Sequence, residues 1–158
     1  MSVNPLPRHK GLFKFEEFFK GRFPIPNHKD IKHCAEFYAG DTITLEVQVC
    51  DECDYPFDIT DWTIYWTVKA EEWDLEVLYQ INSIDDPKLV VKTNPTLGVL
   101  QVTMQPSVSR LLDVGQYIFD IQLSKANEDP ELEPIVKTVL RAWFILKRDV
   151  TGYTDPTP

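Results

Sequence analysis

The chain has 158 residues, 43% hydrophobic and 12% aromatic, enough for one packed domain with an additional arm or tail. Its formal charge of −9 argues against a nucleic-acid-binding face, which is normally basic. No apolar run approaches the ~18 residues needed to cross a bilayer, so no membrane partner is expected. The opening MSVNPLPRHKGLF lacks the apolar stretch of a secretory signal, so folding in a cytoplasm is expected. Three cysteines, an odd number, argue against a disulfide framework.

The first segment differs from the rest. Up to residue 33, seven basic side chains (Arg8, Lys10, Lys14, Lys20, Arg22, Lys29 and Lys32) stand against three acids, a net of +4 that leaves −13 on the remainder. The run GLFKFEEFFKGRF holds Phe13, Phe15, Phe18, Phe19 and Phe23. A helix through Phe15 to Lys20 would gather Phe15, Phe18 and Phe19 on one face. Pro24 and Pro26 then exclude a regular helix, and the stretch from Phe23 to Gly40 reads as a loop. Five phenylalanines in eleven residues are an aggregation hazard if left exposed. Either they fold back on the body or they dock into a partner. The partner-binding candidates are Phe13, Lys14, Phe15, Phe18, Phe19, Lys20, Arg22 and Phe23, a basic aromatic patch suited to the acidic body of a neighbouring copy.

From Asp41 onward the hydrophobic period is two. In TITLEVQV, Ile43, Leu45, Val47 and Val49 alternate with polar residues, the pattern of a half-buried strand. Trp62, Ile64, Trp66 and Val68 share one face of the next strand. EEWDLEVLYQINS reads as a strand, although Leu75, Leu78 and Tyr79 also fit a helical spacing. KLVVKT is a short apolar strand. Leu100, Val102 and Met104 alternate up to Pro106, which stops the ladder because it has no N–H to donate. SVSRLLDVG predicts a helical turn with Ser107 placed to cap it. Tyr117, Phe119, Ile121 and Leu123 then face inward, as do Leu140, Ala142, Phe144 and Leu146 in the last strand. The opposite face of that last strand, with Trp143 and Ile145, is unusually apolar. DECDYP, INSIDDP, TNPTLG and ANEDPELEP separate the strands as turns. Many short strands with regular turns define an all-β fold, an immunoglobulin-like antiparallel β-sandwich. The expected organisation is an irregular, partly helical N-terminal docking arm (1–38), the sandwich (39–151) and a C-terminal tail (152–158).

Sites for chemistry are sparse. Cys50-x-x-Cys53 has zinc-knuckle spacing, but the only further ligands are Cys34, His9, His28 and His33 in the arm. Asp51, Glu52 and Asp54 crowd the thiols with negative charge, which raises thiol pKa values and opposes redox catalysis. The acidic turns lack the order of a calcium loop. All three histidines precede Asp41, and GxSxG, HExxH and P-loop motifs are absent. The expectation is therefore a non-enzymatic protein with no cofactor and no metal. Trp62 and Trp66 belong to the core face, so Trp73, flanked by Glu71, Glu72 and Asp74, is the better exposed contact.

Three segments in order carry a resemblance. The first is AGDTITLEVQV, a polar turn, then FDITDWTIYWTVKA, with Gly40-Asp41 and Asp58-Ile59-Thr60. The second is LGVLQVTMQPSVSRLLDVGQYIFDIQLS, with Pro106, Leu111-Leu112, Gly115 to Tyr117 and Asp120. The third is VLRAWFILKRDVT, ending in Asp149 to Thr151. Together they resemble the N-terminal immunoglobulin-like domain of phage baseplate upper proteins, over roughly Ala39 to Thr151. The long aromatic arm departs from that pattern, as does the expected organisation with a single sandwich domain. The resemblance implies a structural subunit of a phage tail, baseplate or neck, assembled in the host cytoplasm into the virion. Its implied partners are other such proteins and further copies of itself. A carbohydrate- or host-surface-binding module of a tail fibre is the alternative, with Trp73 as its contact.

Overall fold

The computed structural model describes residues 17–22, 34–71 and 73–148, of which residues 17–22 and Cys34 are described by backbone alone. Nine strands follow in order: β1 (Glu17–Arg22), β2 (Cys34–Tyr38), β3 (Ile43–Cys50), β4 (Thr63–Lys69), β5 (Tyr79–Asn82), β6 (Val90–Asn94), β7 (Val99–Met104), β8 (Gly115–Lys125) and β9 (Ile135–Lys147). A 3-10 turn at Pro95–Leu97 precedes β7, and a one-turn helix α1 (Pro106–Ser109) follows it. One sheet has the order β1-β3-β7-β6 and the other β2-β9-β8-β4-β5. This is an all-β sandwich.

The core lies between the sheets and is filled by the period-two faces. Ile43, Leu45, Val47 and Val49 of β3 are buried, as are Leu100, Val102 and Met104 of β7. Opposite them lie Ile64, Trp66 and Val68 of β4, Phe119, Ile121 and Leu123 of β8, and Ala142, Phe144 and Leu146 of β9. Among the described side chains, β3 and β7 contribute aliphatic residues and Met104, while the five-stranded sheet adds aromatic rings to its aliphatic ones. Phe144 stacks on Tyr117 at 5.3 Å between ring centroids and meets Phe37 edge-on at 6.0 Å. Trp66 makes T-shaped contacts with Tyr79 at 5.8 Å and Phe119 at 6.2 Å. Such geometries suit the ring quadrupoles and add to the area buried. A register shift between Ile121 and Gln122 in the β8–β9 ladder inserts an extra residue on β9. This lets neighbouring Val139 and Leu140 both be buried.

The segment before residue 39 departs from expectation. Glu17–Arg22 is a strand rather than the helix predicted through Phe15 to Lys20, and it pairs in parallel with β3 from Glu17↔Leu45 to Arg22↔Cys50. The edge of β3 presents backbone donors and acceptors that must be satisfied, and strand pairing outweighs the weak helical spacing. Cys34–Tyr38, expected as loop, is a strand paired in parallel with β9. Its Ala35 and Phe37 are buried while Glu36 and Tyr38 are exposed. Lys147 Nζ donates to Glu36 Oε2 at 2.9 Å across that pair. Each sheet therefore gains an edge strand from this segment.

Two smaller corrections concern the body. Only Tyr79–Asn82 of EEWDLEVLYQINS is strand; residues before it form a loop. Ser107 does not cap α1: the N-cap is Gln105 and Pro106 takes the first helical position, where its missing N–H costs nothing. Ser109 does the work instead. Its fully buried hydroxyl donates to Asp41 O at 2.8 Å and accepts from Gly40 N at 3.0 Å, pinning the β2–β3 turn to α1.

Candidate interaction surface

The connection between β4 and β5 holds a cluster of exposed large apolar side chains, among them the most exposed of the described residues. Leu75 is 99% exposed and Trp73 77%, and Val77 and Leu78 are exposed as well. A free apolar loop would tend to collapse, but this one is fixed from within. Asp74 N donates to Glu71 O at 3.1 Å, and Asp74 Oδ2 accepts from Glu71 N at 3.2 Å. Lys69 Nζ reaches across to Asp74 O at 2.9 Å, and Leu78 N donates to Val68 O at 3.0 Å at the base. The result is a preformed knob with acidic Glu71, Asp74 and Glu76 beside its apolar tips and no basic residue between 70 and 78. Preformed aromatic and aliphatic anchors are what a protein interface uses, because little ordering entropy remains to be lost.

The strand register places other exposed residues at the same end of the sandwich. Lys69 pairs with Ile118, Gly115 with Leu146, and Tyr38 with Lys147. The β4–β5 knob, the β7–β8 connection and the ends of β2 and β9 therefore share one end. Leu111 (83% exposed), Val114 and Tyr38 add to its apolar character.

The sequence candidates distribute differently. Phe18, Phe19, Lys20 and Arg22 lie in β1, with backbones in register with Glu46, Val47, Gln48 and Cys50. Phe13, Lys14, Phe15 and Phe23 lie outside the described residues, as do Asp149 to Thr151 and the tail to residue 158. Cys50 closes β3 and is 1% exposed, whereas Cys53 is at the exposed turn tip. Asp51 organises that turn by accepting from Cys53 N at 2.9 Å and Tyr55 N at 3.0 Å through Oδ1, and Asp54 takes a left-handed φ of 71°. The cysteine pair thus serves a turn. Among the described residues no group of three or more His, Cys, Asp or Glu side chains converges as a metal site.

The quoted motifs have structural roles. Asp58 Oδ1 accepts from Thr60 N at 2.9 Å and from the Thr60 hydroxyl, while Ile59 between them is fully buried. The same hydrogen bonds hold the Asp58 carboxyl below its ordinary pKa. The Tyr117 hydroxyl donates to Asp113 O, the arrangement of a tyrosine corner. Burial, followed by the nearby Asp113 charge, raises the Tyr117 pKa.

Asp120 lies on the outer face of the five-stranded sheet, between Thr67 of β4 and Arg141 of β9. Its Oδ1 is buried without a hydrogen-bond partner. Desolvation raises its pKa, opposed by Arg141 and Lys69. The folded state therefore binds this proton more tightly than the unfolded chain, and stability falls as pH rises through the folded pKa. Asp120→Asn is expected to raise the melting temperature near neutral pH. The gain should shrink as pH falls below that pKa. A gain that grows on acidification would contradict the assignment.

These features define an all-β sandwich with one apolar, acid-flanked end. No protein-family model and no curated protein sequence matches the chain. Among solved structures, the N-terminal domain of phage TP901-1 ORF48 matches with a TM-score of 0.59 at 15% identity, over 84% of this chain and 98% of that one. At that identity the likeness is one of fold. A looser match, to a chain in a structure of T cell activation by the bacterial superantigen toxic shock syndrome toxin-1, has a TM-score of 0.36 at 15% identity over 72% of this chain and 92% of that one, and carries no argument.

Proposed function

We propose that the protein is a non-enzymatic structural subunit of a phage tail, baseplate or neck, held in the virion by contacts with other structural proteins and further copies of itself. The observation that carries this reading is the Trp73–Leu75 knob, a hydrogen-bonded apolar anchor exposed at one end of a sandwich. The fold likeness to the TP901-1 ORF48 domain supports the phage setting, as do the ordered motifs from Gly40 to Asp120. The acids beside the knob fit a partner pocket that is apolar at its floor and rimmed by Lys or Arg. The basic, phenylalanine-rich segment from Phe13 to Phe23, which includes β1, is a second docking element suited to an acidic neighbour. Particles purified on a density gradient should contain the chain in fixed stoichiometry by mass spectrometry. Its recovery only in the soluble fraction would overturn the reading.

A further inference from the structure

A hollow of about 430 Å³ opens on the outer face of the five-stranded sheet, and neither Trp73 nor Leu75 lines it. Its volume falls within the about 300–1,000 Å³ typical of small-molecule clefts. Tyr65 of β4 lines it, with Gln122 directly across on β8 and Gln80 from β5 to one side. Pro134 and Val136, at the start of β9, add an apolar wall, and Ser124 and Glu133 complete the lining.

The polar groups are positioned rather than loose. Gln122 Nε2 donates to Thr138 Oγ1 at 3.1 Å, and Gln80 Nε2 donates to Thr67 Oγ1 at 2.9 Å. Each amide is thus anchored by a threonine through its nitrogen, while its carbonyl oxygen has no protein partner among the described residues. The Tyr65 and Ser124 hydroxyls and the Glu133 carboxylate likewise make no hydrogen bond there. Four hydrogen-bonding groups, those of Gln80, Gln122, Ser124 and Glu133, acceptors predominating, surround the Tyr65 ring.

The chemistry of the lining selects the ligand. No Lys or Arg lines the hollow and Glu133 is acidic, so phosphate, sulfate and carboxylate ligands are disfavoured. The backbones of β4 and β8, which form the floor of the hollow, are paired on both sides, so no peptide can add as a strand at its centre. A ligand with many hydroxyl donors and an apolar ring face satisfies both the acceptors and Tyr65. We propose that this hollow is a binding site for neutral saccharides, distinct from the surface that holds the protein in a particle.

The test is an NMR titration of the full chain with maltotriose, cellotriose and chitotriose. At least one should give saturable shifts confined to the signals of Tyr65, Gln80, Gln122, Ser124 and Val136. Tyr65→Ala and Gln122→Ala should each weaken that binding about tenfold or more, with Tyr65→Phe close to the parent. The absence of saturable shifts with all three sugars at about 20 mM, weaker than the millimolar range expected of such a site, would overturn the proposal. So would shifts mapping elsewhere, or binding unaffected by both alanine variants. The assay uses the isolated chain, so its failure leaves the structural role standing, and the reverse also holds.

Discussion

Gly98→Ala is expected to cost the fold roughly 2–4 kcal/mol, read as a fall in the urea midpoint with an unchanged m-value. Gly98 closes the 3-10 turn at Pro95–Leu97 with a left-handed φ of 74°, and its N–H donates to Pro95 O at 3.1 Å. Its own carbonyl accepts from Val49 N at 2.8 Å. A Cβ at this position would lie 2.4 Å from Val49 O and 2.6 Å from Phe57 O. Both are backbone atoms, and Phe57 N is itself bonded to Val49 O at 2.9 Å. No side chain can swing aside to relieve the overlap. Either the turn leaves β3 or the 57–59 segment loses its hold on it. A variant of parental stability would show that the three strands of chain do not meet as described.

Trp73→Ser combined with Leu75→Ser is expected to leave the fold intact and to abolish incorporation into particles. Both side chains are exposed and outside the core, and surface substitutions of this kind usually change stability by less than about 0.5 kcal/mol. The melting temperature and circular dichroism should therefore match the parent. At an interface, by contrast, truncating a buried aromatic or large apolar anchor costs about 2 kcal/mol or more. Two such losses reduce occupancy roughly a hundredfold or more. Complementation with the double variant, followed by quantification of the chain in purified particles, reads this directly. Parental incorporation by a stably folded double variant would remove the knob from the assembly account.

The central strands were legible in the sequence because alternate residues of each form one continuous buried face. Ile43 to Val49, Trp62 to Val68 and Tyr117 to Leu123 alternate as written, and all of those inward residues are buried. The edge strands were not legible for a physical reason. EFFKGR has adjacent phenylalanines and no alternation, so β1 is specified by the open edge of β3 rather than by its own pattern. CAEFY does alternate, but over five residues between prolines and a Gly-Asp turn the signal is short. The apolar outer residues of β9 have a local explanation. Trp143 pairs with Ile118, which is only 4% exposed, so a small outer patch shields itself.

The interaction surface was half legible. Trp73 among acids pointed to exposure, whereas Leu75 was read into a regular element. Its exposure follows from the Asp74 turn, which depends on Lys69 reaching back from β4. The hollow around Tyr65 left no trace in the sequence, because its lining comes from four separate segments brought together by the β5-β4-β8-β9 order.

The most direct test of the structural role is a reconstruction of gradient-purified particles at side-chain detail. Trp73 and Leu75 should be buried there against a neighbouring chain, in an apolar pocket edged by basic residues. Particles in which every copy leaves the 70–78 loop in solvent would contradict it.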